Sequence, residues 1–175
     1  MGQRVSYVVG QGGNGIMHVH RTEKIFIIGS IVLIVVFALA IAVSSMAYGI
    51  QVPAPYDQVD PQTVATPPSP WGAPVEERVR ELAPGEYEAY ILAQIWVFQP
   101  REVRVPAGSE ITFRITSKDV QHGFHLEGTN INMMILPGQV STLTATFDEP
   151  GEYYFICHEY CGVGHQTMYG QLIVE

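Results

Sequence analysis

The segment Cys157-His-Glu-Tyr-Cys161-Gly-Val-Gly-His165-Gln-Thr-Met168 places two thiols, an imidazole and a thioether close together in the chain. Soft thiolate and thioether sulfur suits Cu(I), and imidazole tolerates both common copper states. Such a site can change oxidation state with little rearrangement, which suits electron transfer. Cys157 and Cys161 are the two cysteines of the chain. In an exported domain they are candidates for a disulfide, but that pairing leaves His165 and Met168 unexplained. A structural zinc site prefers four Cys/His ligands in pairs such as C-x2-C. The spacing C-x3-C-x3-H-x2-M, with its methionine, is a poor match.

Cysteine, histidine and methionine close together, with a second histidine far upstream, match the ligand set of a cupredoxin copper site. A one-copper site needs one cysteine. With two, Cys157 and Cys161 can each bridge a pair of copper ions. His165 and an upstream histidine would then cap one copper each. Met168 would be a weak ligand at one ion and the backbone carbonyl of Glu159 at the other. Sharing one electron over two metals lowers reorganisation further. Spacing leaves the upstream ligand open between His122 and His125, both in Asp119-Val-Gln-His122-Gly-Phe-His125. One can bind metal while the other packs or orients it. His158 is read as solvent-facing. His18 and His20 carry no signal.

These residues need a rigid scaffold, and the sequence from Glu86 onward has the texture of short strands. Tyr87–Trp96 is β-branched and aromatic. Glu102–Val105 alternates, and Pro106-Ala-Gly108 turns the chain. Glu110–Thr116 alternates again, with Ile111, Phe113 and Ile115 on one face. Pro137-Gly138 precedes Val140–Phe147, Pro150-Gly151 precedes Tyr153–Ile156, and Tyr169–Val174 closes the series. Short strands with Pro/Gly punctuation predict an all-β sandwich or barrel over residues 86–175; the copper ligand set makes the expected version cupredoxin-like, with Greek-key connections. The metal segment is then a loop between two strands.

Upstream, residues 50–85 contain Pro53, Pro55, Pro61, Pro67, Pro68, Pro70, Pro74 and Pro84, a density that predicts an extended connector. Val75–Leu82 allows a short helix. From Ile25 to Tyr48 there is no charged residue. A helix needs about 20 apolar residues to cross a bilayer, so a transmembrane helix is expected at 25–49. A cleaved signal peptide has a shorter apolar core, roughly 7–15 residues. Residues 1–24 read as a tail. Arg4, Arg21 and Lys24 precede the span, and the nearest positive charge after it is Arg78. Positive residues stay inside, so the tail is expected to be cytoplasmic and the β domain to face outward.

The net charge of −8 is uneven. Residues 1–24 hold three of the nine basic groups and one of the seventeen acidic ones, leaving six basic and sixteen acidic groups beyond. An acidic outer domain argues against nucleic acid and would attract a basic partner.

The paired motifs, D-V-x-H and C-x3-C-x3-H-x2-M, resemble subunit II of the haem–copper oxygen reductases, which carries the CuA centre. The resemblance assigns His122, not His125, as the upstream ligand. Asp119 to Asn132 (DVQHGFHLEGTNIN), Val59-Asp-Pro-Gln-Thr-Val64, the GHQTMYG ending and the single spanning helix resemble the B family, the class of ba-type cytochrome c oxidases. The resemblance implies a single-pass protein of a prokaryotic cell membrane, in contact with its lipid. Cytochrome c or a small copper protein would deliver electrons to the copper pair. That pair would pass them to haem in a separate catalytic subunit I, where oxygen is reduced and protons are pumped.

The resemblance implies further roles. Glu23, beside Lys24, matches a position that aids proton entry into the catalytic subunit. Trp96 and Phe98 are candidates for the aromatic that helps electrons enter. Glu159 matches the glutamate that in the larger A family also helps bind magnesium, whereas the B family tends to have glutamine there. His158 occupies a position that is usually small or polar. Two other functions compete: the same role in a CuA-containing nitric oxide reductase, and a membrane-tethered copper carrier. The carrier would need labile, exposed ligands.

Overall fold

The computed structural model describes residues 20–50 and 54–175. Residues 1–19, with most of the expected tail including Arg4 and His18, and residues 51–53 lie outside that range. The chain divides at Gly49/Ile50 into two compact units.

Among the described residues the first unit contains one helix, α1 (Arg21–Ala47), with no buried residue. It is long and apolar enough to cross a membrane. Water is a poor surrounding for so many bare Ile, Val, Leu and Phe side chains, and a bilayer is a good one. The helix begins before the apolar run because the Glu23 carboxylate accepts the backbone N–H of His20 at 2.9 Å. That bond satisfies a donor which the first turn leaves free.

The second unit is a two-sheet sandwich of eleven strands: β1 (Ala54–Gln58), β2 (Val79–Ala83), β3 (Glu86–Gln94), β4 (Val97–Gln99), β5 (Glu102–Val105), β6 (Ser109–Ser117), β7 (His122–Leu126), β8 (Asn132–Ile135), β9 (Gln139–Phe147), β10 (Gly151–Ile156) and β11 (Tyr169–Val174). One sheet runs β1-β9-β6-β3-β2, with β4 also paired to β3; the other runs β5-β11-β10-β7-β8. The pairs β3–β6 and β5–β11 are parallel, and the rest are antiparallel. This is the all-β sandwich that the alternating patterns predict.

Period-2 alternation explains the core. Ile111, Phe113 and Ile115 of β6 share one face, as predicted; that face is fully buried and packs with Ile91, Phe98, Phe124 and Phe155. The aromatic rings interlock: Phe124 stacks on Phe155 with centroids 5.0 Å apart, and Phe98 meets Phe155 edge-on at 5.4 Å. Such pairs add to the stabilisation from area burial alone. Cys157, Cys161 and Met168 belong to the same cluster, so the metal loop lies on one end of the core.

The proline-rich stretch does more than connect. Ala54–Gln58 pairs with β9, and Val79–Ala83 pairs with β3. Between them the chain packs against a sheet. Val64 and Trp71 form a second apolar cluster with Leu92 of β3 and Val140 of β9. Leu92 and Ile91 are neighbours that point to opposite faces, so this segment covers the outer face while Ile91 fills the core. Trp71 meets Tyr90 edge-on and donates its indole N–H to the Arg114 carbonyl at 3.1 Å. The short helix allowed over Val75–Leu82 is a single 3-10 turn at Val75–Glu77; from Val79 the ladder with β3 takes the backbone donors.

Candidate metal centre

The loop between β10 and β11 carries Cys157, Cys161, His165 and Met168. Its ends are fixed by the β10–β11 ladder, and the Cys157 N–H donates to the Met168 carbonyl at 3.0 Å. That bond closes the loop on itself at its two ends.

The donors converge. The two Sγ atoms are 3.8 Å apart. Cys157 Sγ lies 3.9 Å from His122 Nδ1, and Cys161 Sγ lies 3.6 Å from His165 Nδ1 and 3.8 Å from Met168 Sδ. The Glu159 carbonyl accepts from Cys157 Sγ at 3.2 Å. The ligand atoms of His122, Cys157 and Cys161 all fall within 4.8 Å of one another. His122, Cys157, Cys161 and Met168 are buried, and His165 is half-buried. A set of soft sulfur and imidazole donors, sealed from water on the core side, fits copper.

The open choice between His122 and His125 is one of alternation. His122 is fully buried with its ring at the thiols, while His125 Nδ1 hydrogen-bonds the Ile131 carbonyl at 3.1 Å. The Asp119 carboxylate accepts the Nε2–H of His122 at 2.9 Å, leaving Nδ1 as the free acceptor that faces Cys157. Burial works against ionisation of Asp119. Hydrogen bonds from His122 and from the Ile95 and Val120 N–H groups outweigh it and hold the carboxyl below its usual value.

The two thiols are electrostatically unequal. Burial opposes ionisation of Cys157, yet bonds from His122 and the local backbone bring it down to about 6. Burial and then the neighbouring Cys157 thiolate push Cys161 up to about 12. Two thiolates therefore coexist only with a compensating positive charge, which a metal provides.

The other sequence candidates take distinct places. Trp96 is half-exposed beside the loop, and its indole N–H donates to the Cys161 carbonyl at 3.2 Å. Phe98 is fully buried among Phe124 and Phe155, so its place is in the core. His158 is exposed and rests its ring on Gly123, where an added Cβ would lie 2.6 Å from ring atoms. The Glu159 carboxylate accepts from Gln121 at 3.3 Å and lies 3.6 Å from His158 Nδ1. Glu23, on the other unit, is the helix cap described above. Sequence reasoning missed the structural uses of Asp119 and of Gly123, Gly162 and Gly164. The D-V-x-H spacing carried the signal for Asp119; the glycines become meaningful once the ring that each supports is known.

Comparison with known proteins agrees with this geometry. Residues 86–175 match the family model described as cytochrome c oxidase subunit II, periplasmic domain. A cytochrome c oxidase subunit 2 of Thermus thermophilus is 44% identical over 155 residues, covering 87% of this chain and 91% of its own. Another Thermus thermophilus cytochrome c oxidase subunit 2 is 50% identical over 119 residues, covering 68% of this chain and 87% of its own. Among solved structures, a chain from a cryo-EM structure of a heme-copper terminal oxidase dimer superposes with a TM-score of 0.68 at 34% identity, covering 89% of this chain and 100% of its own.

Proposed function

The chain belongs to the cytochrome c oxidase subunit II family, and from that premise we infer that its cluster of thiols, imidazoles and thioether holds a dinuclear copper (CuA) centre through which electrons enter the complex. The protein is a membrane-anchored component of an oxidoreductase complex, with an outer copper-binding β unit and association with the catalytic subunit. The observation that carries the dinuclear reading is the position of Cys157 Sγ and Cys161 Sγ, 3.8 Å apart, each with its own imidazole. Cys157, Cys161, His122 and His165 would hold the copper, with Met168 and the Glu159 carbonyl as weaker donors. When bound, copper supplies one-electron redox chemistry.

This chain's own residues do the rest. Asp119 fixes the His122 tautomer and ring orientation. Phe124, Phe155 and Met168 exclude water from the inner side, which limits solvent reorganisation. Trp96, 40% exposed, is the point where a donor's electron would enter, whereas buried Phe98 has no surface to offer one. The donor in this reading is cytochrome c or a small copper protein, drawn to the acidic outer unit. The catalytic subunit carries the haem and the oxygen site, and this subunit is non-catalytic. The B-family, ba-type assignment is supported by one apolar helix among the described residues and by DVQHGFHLEGTNIN. The tail would be cytoplasmic, from the Arg and Lys before the helix. Glu23 stands as the proton-entry candidate, with helix capping as a duty of its own. Magnesium is left out of this reading, because Glu159 contributes one carboxylate where magnesium prefers near-octahedral oxygen ligation.

The test is the EPR spectrum of the copper-loaded chain in detergent. We expect the seven-line hyperfine pattern of one electron shared by two coppers. A four-line, single-copper spectrum in a fully loaded sample overturns the dinuclear reading. Co-purification with an oxygen-reducing partner, rather than a nitric oxide reductase, decides the acceptor.

A further inference from the structure

Trp96 sits across the metal loop in a way that electron entry does not require. Its indole N–H donates to the carbonyl of Cys161, 65 positions along the chain. Its ring lies on the backbone of Gly162 and Gly164: a Cβ at 164 would fall 2.5 Å from Trp96 Cδ2, and one at 162 would fall 3.1 Å from Nε1. Both glycines lie between Cys161 and His165, so the ring occupies the space that side chains in the spacer would need. Gly162 also has a φ of +119°, a conformation that favours glycine.

The turn that carries Trp96 is itself referenced to the centre. Asp119 Oδ2 accepts the Ile95 N–H at 2.7 Å, and Asp119 Oδ1 bonds His122 at 2.9 Å. One carboxylate therefore ties the β3–β4 turn to His122, and the Trp96 indole ties the same turn to Cys161. The two halves of the centre come from β7 and from the β10–β11 loop, and this turn spans both.

We propose that Trp96 is a positioning residue for the metal centre: through its N–H bond to the Cys161 carbonyl and its ring on Gly162 and Gly164, it holds the Cys161–His165 segment in register with His122 and Cys157. This rests on the copper reading above. Aromatic surface for electron entry would be met by any ring, whereas the clamp needs a donor N–H and two glycines beneath the ring.

The experiment uses the full chain in detergent, loaded with copper. The wild-type EPR spectrum checks the copper reading by itself, so its failure is distinguishable from failure of the clamp. Trp96→Phe keeps an aromatic ring and removes the donor. We expect altered hyperfine splitting, a shifted reduction potential, and copper release to a Cu(I) chelator roughly two- to tenfold faster, the range for one lost hydrogen bond. Gly164→Ala in the wild-type background should speed release by about fivefold or more, as overpacking does. In a Trp96→Ala background the same Gly164 change should cost much less, because the space is free. If Trp96→Ala does not fold, Trp96→Phe decides alone. The proposal is overturned if Trp96→Phe keeps wild-type spectrum, potential and release rate while electron uptake from a donor slows. It is also overturned if Gly164→Ala has equal effect in both backgrounds.

Discussion

The Asp119 carboxylate holds the His122 ring by a 2.9 Å bond to Nε2, so that Nδ1 is the nitrogen facing Cys157. A metal-ligating histidine typically gives its other N–H to such an acceptor, and losing that acceptor costs about 10–100-fold in affinity or activity. We expect Asp119→Ala to weaken copper binding in that range, measured by competition with a chelator. Asp119→Asn retains an acceptor oxygen and should recover most of the loss. Equal loss in both variants would show that the negative charge matters, not the bond.

His122 and His125 should separate cleanly. His125 bonds a backbone carbonyl away from the thiols, so His125→Ala should leave the EPR pattern intact and cost about 0.5–1.5 kcal/mol of stability. His122→Ala and Cys157→Ser should each abolish the shared-electron spectrum. Loss of the centre in His125→Ala would reverse the assignment.

Thiol reactivity in the metal-free chain should report the unequal pair. Cys157, brought down to about 6, is protonated and slow below that pH and reacts as a thiolate above it. Cys161, pushed up to about 12, stays protonated through neutral pH. Alkylation mapped by mass spectrometry across pH 5–9 should modify Cys157 first at every pH in that range. Preferential labelling of Cys161 would contradict the electrostatic picture.

Trp71 should be a stability residue remote from copper. It is buried over the outer face of the β1-β9-β6-β3-β2 sheet and bonds the Arg114 carbonyl. Trp71→Ala should lower unfolding free energy by about 3–5 kcal/mol, read by urea unfolding of the β unit, with the copper spectrum of the folded fraction unchanged. For the same reason a fragment beginning at residue 86 should be poorly soluble, since it uncovers Leu92 and Val140.

The sequence determined which chemistry the chain can do. Cys157, Cys161, His165 and Met168 lie in one short loop, so local spacing already gathers them, and donor softness selects the metal. The charge-free run determined the spanning helix, because its length and composition are local properties. Strands with clean alternation, such as Glu110–Thr116, were legible as well. β7 was not, since its buried face is made of His122, Phe124 and Leu126 and a histidine conceals the period. The strand at 54–58 was hidden by Pro55, whose loss of a ladder donor argues against a strand until the edge position is seen, and the strand at 79–83 by a stretch that also allows a short helix.

Tertiary structure alone decided what lies far apart in sequence. Spacing left His122 and His125 open and the motif resemblance assigned His122; the fold puts the His122 ring at the thiols and turns His125 to the Ile131 carbonyl. Tertiary structure turned the proline-rich segment into a cover for a second apolar face, which depends on Leu92 and Ile91 pointing opposite ways. It also gave Gly162 and Gly164 their reason. A glycine states that space or conformation is needed but does not name what fills it; here it is the ring of Trp96, brought there by the pairing of β3 with β4.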